Sequence, residues 1–164
     1  MAFANSLIGA GTDFAQTRTD NEGYSFGLGD IAFGSDGSAW IHVVADEAIT
    51  GAGYAVVIHE DFGIEMVDTT STATAFGQMV GVPAVAFASG EYGWVQVLGT
   101  CVVRGAASAA ANTALNSTAT AGQVDDDATE GAEVIDGVVF TTAVGGAAAT
   151  QAAMLVWPKV GATL

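Results

Sequence analysis

The chain has 164 residues, with 18 acidic side chains against only 3 Lys and Arg, and its net charge at pH 7 is −15. This charge nearly excludes nucleic-acid binding, which needs basic side chains to neutralise phosphates, and it disfavours anionic membrane surfaces. The hydrophobic fraction of 51% is largely Ala and Val and accompanies 22 Gly residues. Because small residues each bury little area, we expect a compact β-rich body that is supported by oligomerisation.

A chain of this length suits one ordinary domain rather than two. Cys101 is the only cysteine, so no intrachain disulfide can form, and its apolar surroundings favour a small core residue. The N-terminus lacks a basic leader region, and no apolar run approaches the ~20 residues of a membrane span. We expect synthesis and folding in a reducing cytoplasm.

The first 22 residues contain scattered apolar side chains without helical spacing, which predicts an extended N-terminal arm. Such arms are often ordered by a partner. Phe3 and Phe14 are therefore candidate contact residues, and residues 23–164 are expected to form one domain.

From residue 24 onwards, short apolar stretches alternate with turn signals such as Asp36-Gly37, where Gly permits a positive φ. The predicted strands are 24–33, 40–45, 54–60, 65–67, 78–88, 91–105, 134–142 and 152–160. Pro83 indicates an edge or a bulge, and the Ala-rich residues 106–115 allow at most one short helix. About eight short strands at intervals of roughly ten residues predict an all-β chain that folds as a β-barrel or β-sandwich.

The longest alternating pattern is EYGWVQVLGTCVVRG at 91–105. Successive side chains of a strand point to opposite faces. One face is small and apolar, which predicts a packed core: Val95, Val97, Cys101 and Val103. The other face is amphipathic and could meet a neighbouring chain: Tyr92, Trp94, Gln96, Leu98, Thr100, Val102 and Arg104. Its Tyr92, Trp94 and Gln96 part is our leading candidate for subunit contact, and Arg104 is a further candidate. A bulge at Gly99 would reverse this assignment.

Aromatic residues and histidines suggest a further part of the contact surface. Trp40, Trp94 and Trp157 fall on three predicted strands, where a shared core and interface anchoring are about equally good explanations. His42 lies on the same face as Trp40, and both are placed in the candidate interface. His42 and His59 could meet in space, but zinc would need further ligands from Cys101 or carboxylates, so no metal site is predicted.

No pattern typical of catalysis or of cofactor binding is present. The acidic run 125–130 fails the calcium-loop template, because Glu130 stands where Gly is needed and Asp136 where the bidentate Glu is needed. The nucleophile elbow G-x-S-x-G and the P-loop are absent, and the Gly-x-Gly pairs lack the third Gly of a dinucleotide fingerprint. We therefore expect no enzyme activity, no cofactor and no metal.

Short segments built of Gly turns and aromatic residues follow one another after about residue 24: Phe26-Gly-Leu-Gly, Ser35-Asp-Gly-Ser-Ala-Trp-Ile, Ala48-Ile-Thr-Gly-Ala-Gly, Val80-Gly-Val-Pro, Gly90-Glu-Tyr-Gly-Trp-Val-Gln, Ala121-Gly-Gln-Val-Asp-Asp-Asp and Trp157-Pro158. Together they resemble small virion structural proteins of tailed bacteriophages, in particular capsid decoration (cement) proteins encoded near the major capsid protein. The GEYGWVQVLG segment is the strongest part of the likeness.

The resemblance implies a β-barrel or β-sandwich protein that is made in the host cytoplasm and forms a homotrimer on the outer capsid surface of the virion. There it would bind the major capsid protein and clamp neighbouring capsid subunits. A protein that binds only the assembled shell stabilises it by mass action, and three linked contacts add avidity. The alternatives are a tail or head-fibre component and a carbohydrate-binding β-sandwich with exposed Trp and Tyr.

Overall fold

The computed structural model describes residues 14–19, 26–127 and 130–164. These residues form ten strands, and their one helical element is a 3₁₀ turn at Thr72–Thr74, so the predicted all-β class is confirmed. The strands are β1 (Ile31–Phe33), β2 (Ala39–Ala45), β3 (Val56–Ile58), β4 (Gly63–Met66), β5 (Met79–Pro83), β6 (Tyr92–Gly105), β7 (Leu115–Ser117), β8 (Val124–Asp125), β9 (Glu133–Phe140) and β10 (Ala149–Thr163).

All eight predicted strands overlap an observed strand, and the two that the sequence pattern misses are β7 and β8. These have three and two residues, which is too short for an alternating pattern to be visible. No helix forms at 106–115. Ser108 and Asn112 have positive φ angles of 69° and 59° there, a conformation that interrupts a right-handed helix. Residues 1–13 of the predicted arm lie outside the described residues, as does the predicted strand start at residue 24.

The ten strands form one sheet that contains two five-strand circuits, which are also joined directly where Met79 of β5 pairs with Lys159 of β10. One circuit of hydrogen-bonded pairs runs through β2, β4, β3, β5 and β6. A second circuit runs through β6, β10, β9, β7 and β8. Because β6 belongs to both circuits, the sheet is more complex than a single regular barrel.

Two apolar clusters follow the two circuits. The first consists mainly of small and β-branched side chains: Ala39, Ile41, Val43, Ala45, Ile49, Val56, Ile58, Ile64, Phe87, Val95 and Val97. The second combines β9 and β10 with the opposite faces of β3 and β5, including Val57, Val82, Leu115, Ile135, Phe140, Leu155 and Val160. Adjacent residues of β3 therefore pack into different clusters, as the alternation of a strand requires.

β6 passes from the first cluster to the second along its length. Val95 and Val97 pack in the first cluster, while Val103 packs in the second together with the partly buried Cys101. The predicted core residues of this strand are confirmed, but they serve two cores. Between them the β2–β6 register shifts by one residue, and Gly99 has a φ of 96°. The Gln96 amide bridges this irregularity by donating to the carbonyl oxygens of Leu98 at 2.8 Å and Thr100 at 3.0 Å.

A glycine in β9 permits a bulge in β10. The β9–β10 register shifts between Leu155 and Lys159, where Trp157 has a φ of 46°. Gly137 lies opposite with a φ of 80°, and a Cβ there would be 2.6 Å from the carbonyl oxygen of Val156. Only a residue without a side chain fits this position without displacing backbone.

We expect Gly137→Ala to lower the free energy of unfolding by about 1–3 kcal/mol, because a side chain at positive φ is strained and here also meets backbone atoms. Urea unfolding followed by tryptophan fluorescence measures this change. Gly146→Ala is the matched control, since a Cβ at Gly146 has no heavy atom within 4 Å. Equal losses in the two variants would contradict the explanation.

Candidate protein-contact surface

Four of the predicted contact residues form a buried layer rather than an exposed surface. They lie on the paired strands β2 and β6, where Trp40 is opposite Gln96 and His42 is opposite Trp94. The exposed fractions are 8% for Trp40, 0% for His42, 2% for Trp94 and 4% for Gln96. The structure thus brings these residues together, but their side chains are inaccessible.

The cover over this layer comes from the chain's own N-terminal residues. Phe14 stacks on Trp40 with ring centroids 4.5 Å apart and packs edge-on against Trp94 at 5.7 Å. Phe26 packs edge-on against Trp94 from 5.2 Å. The backbone of Arg18 pairs with that of Tyr92 through hydrogen bonds of 2.8 and 2.7 Å. Part of the predicted arm is therefore docked on β6.

This packing places Trp40, His42, Trp94 and Gln96 in the interior of the chain, with Phe14 against Trp40 and Trp94. Subunit contact through these four residues stays a prediction. Burial lowers the pKa of His42, so its ring is neutral at pH 7. The indole of Trp40 donates to Ser38 Oγ at 2.8 Å, which satisfies its one donor.

The other predicted contact residues have mixed surroundings. Tyr92 and Arg104 are partly exposed, and the Arg104 guanidinium lies 5.1 Å from the ring centroid of Tyr54, a cation–π distance. Their predicted role in subunit contact stays a prediction. Phe3 lies outside the described residues.

The groups considered for metal binding stay apart in the structure. His59 forms an ion-pair contact with Glu65 at 3.2 Å and a hydrogen bond with Gln78 at 3.0 Å, whereas His42 is buried among aromatic rings. Burial raises the pKa of the Cys101 thiol to about 12, so the thiol stays protonated. Within residues 14–19, 26–127 and 130–164, no three His, Cys, Asp or Glu side chains are placed to hold one metal ion.

An exposed apolar surface lies on β6 and β10, on the side opposite the second core. Cross-strand pairs align Thr100 with Met154 and Val102 with Ala152, and Val156 follows on β10. We call these five residues the β6–β10 face. Val102 is 49% exposed, Met154 36% and Val156 59%, whereas the intervening Val103 and Leu155 are fully buried.

Sequence reasoning placed Thr100 and Val102 on the amphipathic side of β6 but missed the β10 half of the β6–β10 face. The run AAMLV at 152–156 is apolar on both faces of the strand, and such a run is usually buried on both sides. Here one side packs in the second core and the other side is uncovered. The available signal was the combination of a doubly apolar strand with a neighbour, β6, whose outward residues at 100 and 102 carry no charge.

A small groove adjoins the face at Val102. Its volume is about 210 Å³, and its lining is mainly apolar, with the Gln96 side chain as a polar element: Trp40, Ala52, Val82, Pro83, Ala84, Gln96, Cys101 and Val102. Val102 belongs both to the groove and to the exposed face, so the two form one continuous surface.

Acidic side chains are concentrated elsewhere, around the end of β2 and along β4. Glu47, Glu65 and Asp68 line one depression there, and the Glu47 carboxylate accepts a hydrogen bond from the Met66 amide at 2.8 Å. The pKa of Asp46 is raised, mainly by burial of its carboxylate against the Gly63 backbone and also by repulsion from Asp61. The apolar and the acidic surfaces are thus formed by different strands.

Comparison with known proteins assigns no family to the chain: no family model matches it, and no curated protein matches it. Within the described part of the chain, no helix is long and apolar enough to cross a membrane. The surfaces described above are therefore the basis for a functional proposal.

Phe14→Ala is expected to lower the free energy of unfolding by about 1–3 kcal/mol, because partial burial of the ring and two aromatic pairs are lost. Tryptophan emission should also shift to longer wavelength as water reaches Trp40 and Trp94. Chemical unfolding and emission spectra measure both effects. Phe76→Ala, at a residue that is 78% exposed, should change neither quantity.

Asp46→Asn is expected to stabilise the chain at pH 7. A carboxyl whose folded pKa is raised holds its proton more tightly when folded, so folding is penalised once the group is ionised. The amide removes this penalty, and the advantage should shrink as the pH falls towards the ordinary pKa of 3.8. Urea midpoints at several pH values measure it. Glu130→Gln removes the same charge from an exposed position and should show no comparable gain; an equal gain would indicate a general charge effect.

Proposed function

We propose that this chain is a structural virion protein that binds the outer surface of a phage capsid as a decoration (cement) protein. It clamps neighbouring subunits of the major capsid protein, associates with itself as a homotrimer and has no catalytic role. The observation that carries the proposal is the β6–β10 face, an exposed and uncharged apolar surface. Contiguous exposed apolar surface of this kind is typical of sites that contact other proteins.

The charge of the chain narrows the class of partner. With a net charge of −15, the chain is repelled by nucleic acids and by other acidic surfaces at neutral pH. The acidic region that includes Glu47, Glu65 and Asp68 suits a basic patch on a partner, because complementary charge speeds docking and fixes its orientation. A capsid surface with basic contact areas would suit this acidic region, while contact between copies in the homotrimer would cover the apolar face.

The fold suits a clamp because the two circuits are held together by hydrogen bonds, both through β6, which pairs within each circuit, and through the β5–β10 pair. Clamping needs no chemistry. A protein that binds the assembled shell better than its separate subunits raises shell stability by mass action, and linked copies increase occupancy further.

The alternative functions differ in what they require of this structure. A carbohydrate-binding module needs a groove with exposed Trp and Tyr side chains, but Trp40 and Trp94 are buried and, among the described Trp and Tyr residues, only Trp157 is exposed, at 40%, so no observation favours this alternative. A tail or head-fibre component would use a contact surface of the same kind. Its location on the particle distinguishes it from a decoration protein.

Purified chain mixed with DNA-free shells of the major capsid protein should co-sediment with the shells. Cryo-electron microscopy should then show added density on their outer surface, and the shells should rupture at a higher temperature. Unassembled capsid subunits are the control and should bind more weakly. The proposal fails if the shells neither bind the chain nor gain stability, or if the chain localises to the tail or fibres of the intact particle.

A further inference from the structure

We infer that a second copy of this chain covers the β6–β10 face. The inference rests on the proposed function, which includes self-association, and it deepens that function by naming the surface through which copies meet. The contact itself is a property of the isolated chain, so it can be tested without a capsid.

The first support is the contrast between the two sides of the same strands. Val103, Ala153 and Leu155 point inward and are at most 1% exposed. Val102, Met154 and Val156 point outward and are 36–59% exposed. Both sides are apolar, yet only one has a covering layer among the described residues, which leaves the outer side with the composition of a core and the exposure of a surface.

The second support is the distribution of charge. None of the five residues of the β6–β10 face is ionisable, although the chain carries a net charge of −15. Two copies repel each other across acidic surfaces, and they approach most easily where charge is absent. A basic partner would gain little from this face, since it offers no carboxylate. A second copy brings an equally uncharged and apolar surface.

The third support is the area of the face. Its five exposed side chains amount to roughly 300–400 Å², within the ~300–600 Å² of the largest, often functional, patch on a typical monomer. A standard protein interface buries about 800 Å² on each partner, with an apolar centre and a polar rim. The β6–β10 face is thus large enough to form the centre, while the groove beside it and Arg104 at its border belong to the rim.

The shape of the surface also permits a reciprocal fit. The groove borders the β6 side of the face, where Val102 lines it, whereas Val156, the most exposed of the three large apolar residues, lies on β10 opposite Leu98. Face-to-face packing of two copies with opposed strand directions can set Val156 of each copy against the groove of the other. That contact is isologous and closes at two copies, whereas a closed ring of three copies needs a heterologous contact in which Val156 of each copy packs on the groove of the next.

The test is the molar mass of the purified chain, measured by sedimentation equilibrium over a range of concentrations. The unmodified chain should be oligomeric, and Val156→Glu should weaken association at least about tenfold, because it sets a charge at the centre of the contact. Phe76→Glu is the matched control, since Phe76 is 78% exposed and lies outside the β6–β10 face. It should leave association unchanged.

Circular dichroism checks that each variant is folded, and a second measurement needs no variant at all. The Met154 thioether should become protected from peroxide oxidation as protein concentration rises, while Met66 and Met79, which lie outside the face, should keep their own rates. Peptide mass spectrometry follows each site separately.

A monomeric unmodified chain would overturn the inference. So would an oligomer that tolerates Val156→Glu, that dissociates equally with Phe76→Glu, or in which oxidation of Met154 is independent of concentration. Failure of the proposed function is distinguishable from failure of this inference. An oligomer that meets these expectations but does not bind capsid shells would contradict the capsid-binding role and leave the contact between copies intact.

Discussion

Hydrogen bonding of β6 along both of its edges is the constraint on which the rest of the structure depends. The strand pairs with β2, β5, β10 and β8, so both circuits of the sheet close through it. Its inward side chains divide between the two cores, with Val95 in one and Val103 in the other. Disruption of its middle section would therefore weaken both cores, and Gly99 with the Gln96 side chain holds that section in register.

The outward-facing side chains of β6 are covered in one half of the strand and exposed in the other. Beside β2, Trp94 is covered by Phe14 and Phe26, so an amphipathic sequence pattern ends as a buried aromatic layer. Beside β10, Val102 remains exposed together with Met154 and Val156. The exposed apolar surface thus lies further along the same strand than the contact surface expected near Tyr92. This displacement explains how a chain with buried tryptophans still presents an apolar surface suited to another protein.

Prediction from sequence succeeded where the pattern is local. Alternation along 91–105 and the turn at Asp36-Gly37 reflect backbone geometry and the side chains of neighbouring residues, so the strands and their core residues could be read directly. The solvent accessibility of individual side chains could not be read from the sequence. Whether Trp40 is covered depends on Phe14, which is distant in sequence, and Asn116 reaches its strand partners only after the chain has folded back on β8 and β9.

The sequence by itself determined an acidic all-β chain with a small-residue core and no recognisable catalytic pattern, because composition and period-two alternation act locally. The tertiary structure alone decided that the sheet closes through β6 and that residues 14–19 dock on it. It also decided that Val102, Met154, Val156 and Trp157 are the large apolar residues left exposed on β6 and β10. These outcomes depend on strand pairings between distant residues, and the free energy of such pairings is set by the whole packed arrangement rather than by any one segment.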